Sequence, residues 1–207
     1  MALHDYTTEV LGSKANLRVL KTLLNYRGKI FTIRELARTA GISHPEASKV
    51  VRELEKRGVL NLQPVGKAIQ VSLNEESYIL KSIVEPIFRA EKSTLSYLIS
   101  TIKPFFKDKR ITSVAIFGSV ASGVERDNSD LDLLVIADDK EFANACISRA
   151  SLASASKFGF ALSPLIMGRA RFIRERNKDL EKSILVSYAI VSGKDLSEVI
   201  QNVKASR

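Results

Sequence analysis

One stretch of the 207-residue chain, VAIFGSVASGVERDNSDLDLLVIA, holds the residue types best suited to chemistry. Gly118-Ser119 ends an apolar run, and Asp130-Leu131-Asp132 opens the next one after ten intervening residues. A glycine at a strand end lets backbone approach a phosphate closely. The serine offers a hydroxyl and an N–H at a helix start, where anions are favoured. Asp130 and Asp132 stand two apart, so on a strand both carboxylates share one face. Leu131 and Leu133 then pack on the other face. Paired carboxylates form a hard oxygen site suited to Mg²⁺ (or Mn²⁺) shared with phosphates. Gly118 and Ser119 are therefore expected to meet a phosphate, and Asp130 and Asp132 to hold a divalent cation.

These residues need strands to hold them. Ile111–Phe117 and Leu131–Ala137 read as buried strands, 139–158 as a helix, and Phe160–Met167 as a third strand. Helices are expected near 169–177 and 180–191, with a last short one after Gly193. Strands alternating with helices indicate an α/β layer structure.

Gly-Ser, about ten residues, then Asp-x-Asp between two strands resembles the polymerase-beta-like nucleotidyltransferase superfamily, in particular its minimal members. The resemblance implies that Gly118 and Ser119 hold a nucleoside triphosphate and that Asp130 and Asp132 bind divalent metal. It implies transfer of a nucleoside monophosphate to an acceptor with release of pyrophosphate. One departure matters. Active members commonly carry a third carboxylate on a following strand, and 160–167 contains no Asp or Glu. Ser163 falls near that place, but a hydroxyl is no general base at neutral pH. Asp179 and Glu181 lie beyond the strand and are not promoted. Three outcomes stay open: activity with two carboxylates, nucleotide and metal binding without turnover, or relic carboxylates. Arg126 reads as an exposed loop residue, Arg169, Arg171, Arg174 and Arg176 as a solvated helix face, and Cys146 as a small buried hydrophobe.

The first half has a different grammar. Apolar spacing predicts a helix over about 8–26. Thr32-x-x-Glu35 and Ser43-x-x-Glu46 read as capping boxes that open two further helices, separated by Gly41. The second runs to Arg57 and ends at Gly58. Extended pieces at 59–63 and 68–73 flank a turn with Pro64 and Gly66. The segment 31–74 resembles winged helix-turn-helix regulators of the MarR and ArsR type. That resemblance makes 44–57 a recognition helix with Ala47, Val50, Val51 and Leu54 inward. His44, Ser48, Lys49 and Arg52 would then face DNA, with Lys67 at the wing tip.

Charge agrees with this division. The net charge is +9. Residues 1–77 carry 12 basic and 8 acidic groups, 78–110 carry 7 and 3, and 111–207 carry 13 and 12. The excess therefore lies where a polyanion would bind. A single Cys and two His argue against a disulfide framework or a zinc site. The lack of a long apolar run or leader-like start argues for a cytoplasmic setting without a membrane partner. The expected class is a two-domain α+β protein: a winged helix-turn-helix at 1–76, a connecting helix at 77–109, and an α/β nucleotidyltransferase fold with a small mixed sheet at 110–207. Double-stranded DNA and a nucleoside triphosphate are the expected partners, with homodimerisation through the long middle helix. The primary reading is a DNA-binding transcriptional regulator. An antitoxin-like transferase modifying a partner protein or toxin, and an inactive nucleotide-sensing regulator, are the alternatives.

Overall fold

A computed structural model describes residues 5–124 and 130–201. It separates the chain into two compact units, Met1–Ser93 and Thr94–Arg207. Among the described residues no helix is long and apolar enough to cross a membrane.

The first unit opens with two helices, α1 (Tyr6–Leu11) and α2 (Lys14–Asn25). The apolar spacing over 8–26 predicts one helix, but the chain breaks at Gly12-Ser13. Ser13 adopts an extended conformation, and its side chain accepts from the Asn16 N–H. A local N-cap thus restarts the helix that periodicity alone would continue. A two-residue strand, β1 (Phe31–Thr32), leads into α3 (Ile33–Ala40), then α4 (His44–Lys56), β2 (Leu60–Val65) and β3 (Ala68–Leu73). The three strands form an antiparallel sheet in the order β1-β3-β2. Phe31, Leu36, Val51 and Leu54 share a core with Leu20 and Leu23 of α2.

Both expected capping residues cap. Thr32 accepts from Glu35 N–H, and Ser43 from Glu46 N–H. The Glu35 carboxylate, however, pairs with Lys29 at 2.7 Å, so the reciprocal half of that capping box is spent on a neighbouring cation. Between the helices Gly41 turns in the left-handed region at φ 65°, which only glycine adopts without a Cβ penalty.

The connecting helix expected at 77–109 is interrupted. A π-helical turn covers Leu80–Val84, α5 covers Glu85–Ile102, and a 3₁₀ turn covers Lys103–Phe106. Pro86 lacks an N–H, so the ladder loses a donor at this point. The wider turn just before it is the usual form of such an accommodation. The boundary between the two units falls within α5.

The second unit is built on β4 (Ile111–Phe117), β5 (Leu131–Ala137), β6 (Leu162–Met167) and β7 (Tyr188–Gly193). The sheet is mixed, in the order β6-β5-β4-β7, with only β5 and β6 parallel. Between the strands lie α6 (Gly118–Ser122), α7 (Lys140–Phe158), α8 (Arg169–Glu175) and α9 (Asp179–Val186), and α10 (Leu196–Gln201) follows β7. Alternation along β5 divides two cores. Leu131, Leu133 and Val135 pack with Ala143, Cys146 and Ala150 of α7. Leu134 and Ile136 pack with Phe172, Ile184 and Leu196 on the opposite face.

β7 corrects the expectation of a helix through 191. The helix stops at Val186, and Tyr188–Gly193 pairs antiparallel with β4. The apolar run is continuous across this junction, so periodicity gives no boundary. The β-branched and aromatic content of Tyr-Ala-Ile-Val is the signal that favours a strand.

Candidate functional site

The site forms where β4 ends and β5 begins. Ile116 pairs with Leu133, so Gly118 emerges beside the start of β5. Gly118 has φ 74°, and a Cβ there would overlap Asp132 Oδ2 and lie 3.2 Å from Asp132 Cγ. The glycine is therefore required twice, by its backbone conformation and by the carboxylate against it. This contact brings the two halves of the sequence motif together.

Ser119 lies in the first turn of α6, half-buried. The turn closes at Gly123 in the left-handed region, with Gly123 N–H donating to Val120 O and Val124 N–H to Ser119 O. Ser122 Oγ donates back to Gly118 O. The Gly-Ser turn is thus held from its far end.

Asp130 is exposed at the mouth of β5, and Asp132 is half-buried within it. Leu131 and Leu133, fully buried on the other face, fix the side of the sheet on which the carboxylates lie. Burial raises the Asp132 pKa above the ordinary carboxylate value, and the Asp130 charge adds to the rise. Among the described residues neither carboxylate has an ion-pair partner. Two neighbouring carboxylates, one of them partly desolvated, suit a hard divalent cation, so the donor set fits Mg²⁺. Among the described residues no third His, Cys, Asp or Glu joins them.

The register across β5 and β6 places Ser163 directly opposite Asp132. In a parallel pair, residues in register point to the same face. The position beside the carboxylates is therefore a hydroxyl. Of the acidic residues further on, Asp179 is exposed at the start of α9, and Glu181 is buried within it. Sequence reasoning does not single out Tyr188, which pairs with Phe117 next to the Gly-Ser turn and donates its hydroxyl to Asp195 at 2.9 Å. Its signal is the same strand character that marks β7. Arg126 lies outside the described residues. Arg171 and Arg174 lean on Glu175 at 3.2 and 3.7 Å, as surface helix residues do.

The expected DNA-facing residues belong to the first unit. Ala47, Val50, Val51 and Leu54 of α4 are buried. His44, Lys49 and Arg52 are exposed, and Ser48 is half-buried. Lys49 stands 4.0 Å from Glu53 on the same helix face. Lys67 is exposed in the two-residue turn between Val65 and Ala68, beside Gly66 at φ 58°.

Residues 100–164 match the family model described as polymerase beta, nucleotidyltransferase. That segment contains Gly118, Ser119, Asp130, Asp132 and Ser163. Among curated proteins none matches the chain by sequence. Three solved structures are similar at low level. NolR from Sinorhizobium fredii has 16% identity and a TM-score of 0.35, covering 42% of this chain and 80% of its own. A toxin-antitoxin with AMP-PNP has 18% identity and a TM-score of 0.36, covering 51% and 82%. TrmBL2, described as an archaeal chromatin protein, has 19% identity and a TM-score of 0.30, covering 85% and 72%. At those scores the three structures carry no functional argument. The family match bears on the second unit, which holds a nucleotidyltransferase-like segment.

Proposed function

We propose that the chain is a DNA-binding regulator whose second unit binds a nucleoside triphosphate with Mg²⁺ and transfers the nucleoside monophosphate to an acceptor. The observation that carries the nucleotide reading is the Gly118 backbone lying against the Asp132 carboxylate. It puts a phosphate-approachable turn and a metal-type donor pair at one place. The family match over 100–164 supports the same reaction class.

In this reading Gly118 and Ser119 orient the triphosphate, and Asp130 and Asp132 hold the cation. The cation supplies charge neutralisation between carboxylates and phosphates. The acceptor oxygen forms a bond to the α-phosphorus as the bond to the bridging oxygen breaks, and pyrophosphate leaves. Ser163 positions the acceptor by hydrogen bonding, and the acceptor proton passes to solvent. In the first unit α3, the Gly41 turn, α4 and the β2–β3 hairpin act as a winged helix. Its exposed His44, Ser48, Lys49 and Arg52 contact duplex DNA, with Lys67 on the wing.

Incubation with α-labelled nucleoside triphosphates, Mg²⁺ or Mn²⁺ and candidate acceptors, including the protein itself, tests the transfer. Label transfer lost in Asp130→Asn and Asp132→Asn is expected. Transfer unchanged in both variants would remove the assignment.

A second reading is favoured by one observation. The position opposite Asp132 is Ser163 rather than a carboxylate. On that basis the second unit binds nucleotide without turnover and acts as a sensor. Ser163→Asp discriminates: a large gain in transfer over a silent parent supports the sensor reading, and an already active parent rejects it.

A further inference from the structure

Within the second unit a cleft of about 480 Å³ lies at the opposite end of β4 from Gly118. Six residue steps of strand separate the two ends, on the order of 20 Å. We propose that this cleft is a second anion site that takes a small oligophosphate.

Four cations line it: Lys107, Lys109, Arg169 and Lys194. Among the described residues none of the four has an ion-pair partner. The one acidic lining residue, Asp108, is already engaged. Its Oδ1 accepts from the Arg110 backbone N–H at 2.9 Å and from Nε at 3.0 Å, and its Oδ2 accepts from Nη2 at 3.2 Å. Arg110 is held in turn over the Phe142 ring, 3.3 Å from its centroid. A second carboxylate, Asp138, sits at the edge and accepts from the Arg169 N–H at 3.1 Å. Four cations against these two carboxylates, one of them already engaged by Arg110, leave the cleft with a net positive charge. Such a concavity raises the local concentration of anions.

The walls are fixed by buried hydroxyls rather than by the lysines themselves. Ser192 Oγ donates to Phe106 O at 3.1 Å, and Ser113 Oγ donates to Lys194 O at 2.7 Å. Lys194 N–H donates to Thr112 O at 3.0 Å. Gly193 turns at φ 83°, and a Cβ there would meet Thr112 O and lie 2.9 Å from Ser113 Cα. The backbone that carries Lys194 is thus pinned to the start of β4, which lowers the ordering cost of binding.

The chemistry selects the ligand class. The volume is that of a small-molecule site. Four cations exceed what one phosphate group needs. The lining aromatic, Phe106, is buried and offers no open face on which a base could stack. An inorganic or small organic chain of two or more phosphates fits these features.

The test is an amide NMR titration of the full chain with inorganic tripolyphosphate in metal-free, low-salt buffer. The largest shifts are expected at the amides of Lys109, Thr112, Gly193 and Lys194. Affinity should fall at least tenfold in Lys109→Ala/Lys194→Ala and stay within twofold in Asp132→Asn. Both variants change exposed or half-buried side chains, and their amide spectra report directly whether they fold. Shifts centred on Gly118 or on the first unit, an unaffected double variant, or no shift at millimolar ligand would each overturn the proposal.

Discussion

At the scale of single residues, the candidate site sets two carboxylates against each other. Asp132 is partly desolvated and faces Asp130 with no described cation nearby, which raises its pKa. The sign of the consequence is set by linkage. The unfolded chain releases this proton near the ordinary value of about 3.8, while the folded chain holds it to higher pH. Between the two pKa values the native state binds more protons, so this group's contribution falls as pH rises through that window and stays low above it. Asp132→Asn should therefore raise the metal-free melting temperature at neutral pH and flatten the decline of stability across that window. Thermal melts from pH 4 to 8 check it, and a variant less stable at neutral pH would contradict the strain. Magnesium should stabilise the parent and not the variant. At a hundredfold excess over its Kd a ligand adds about 2.7 kcal/mol.

At the scale of elements, stability depends on how strands and helices are stopped. Asp195 accepts from the Ser197 N–H and hydroxyl and from Tyr188 Oη, tying β7 to α10. Those bonds, Ser197 first, lower the Asp195 pKa. A lowered value means that the stabilisation is present above the unfolded value and is lost as pH falls through the folded one. Asp195→Ala should cost about 1 kcal/mol at neutral pH, the usual loss of a helix cap, and this cost should shrink at acid pH as the carboxylate loses its charge. Chemical denaturation at the two pH values measures both.

Much at this scale was legible from sequence. Thr32, Ser43, Gly41 and the Asp-x-Asp strand carry local signals that the fold uses directly. What escaped was non-local or short. The break at Gly12-Ser13 depends on one serine cap within an otherwise helical pattern. β7 continues an apolar run without a break and is defined by pairing with β4. The register that sets Ser163 against Asp132 is a tertiary property, although the absence of a carboxylate on that strand was readable. The basic cleft joins residues from three separate segments, so no spacing rule reveals it.

At the scale of the whole chain, both units carry an excess of positive charge. Met1–Ser93 holds 15 basic and 10 acidic groups, and Thr94–Arg207 holds 17 and 13. Duplex DNA binding by the first unit should thus weaken steeply with salt through counterion release. Lys49→Ala and Arg52→Ala should each lower the log–log salt slope by about 1 if the side chain contacts phosphate. An Arg52 that reads a base edge would instead relax sequence preference. Fluorescence anisotropy with the chain's own upstream DNA at several salt concentrations separates these effects, and no binding at low salt would contradict the regulator reading. On the proposed winged-helix reading, a symmetric dimer would bind a two-fold related operator.

The central claim is that Gly118, Ser119, Asp130 and Asp132 form one nucleotide–metal site. Its most direct test is Mn²⁺ binding followed by electron paramagnetic resonance, with and without ATP. The parent chain should bind one high-affinity Mn²⁺ whose affinity rises with nucleotide. Asp132→Asn should lose that ion, and Gly118→Ala, strained at φ 74° and crowding the carboxylate, should weaken it at least tenfold while remaining folded. Equal Mn²⁺ and nucleotide binding by parent and both variants would contradict the account.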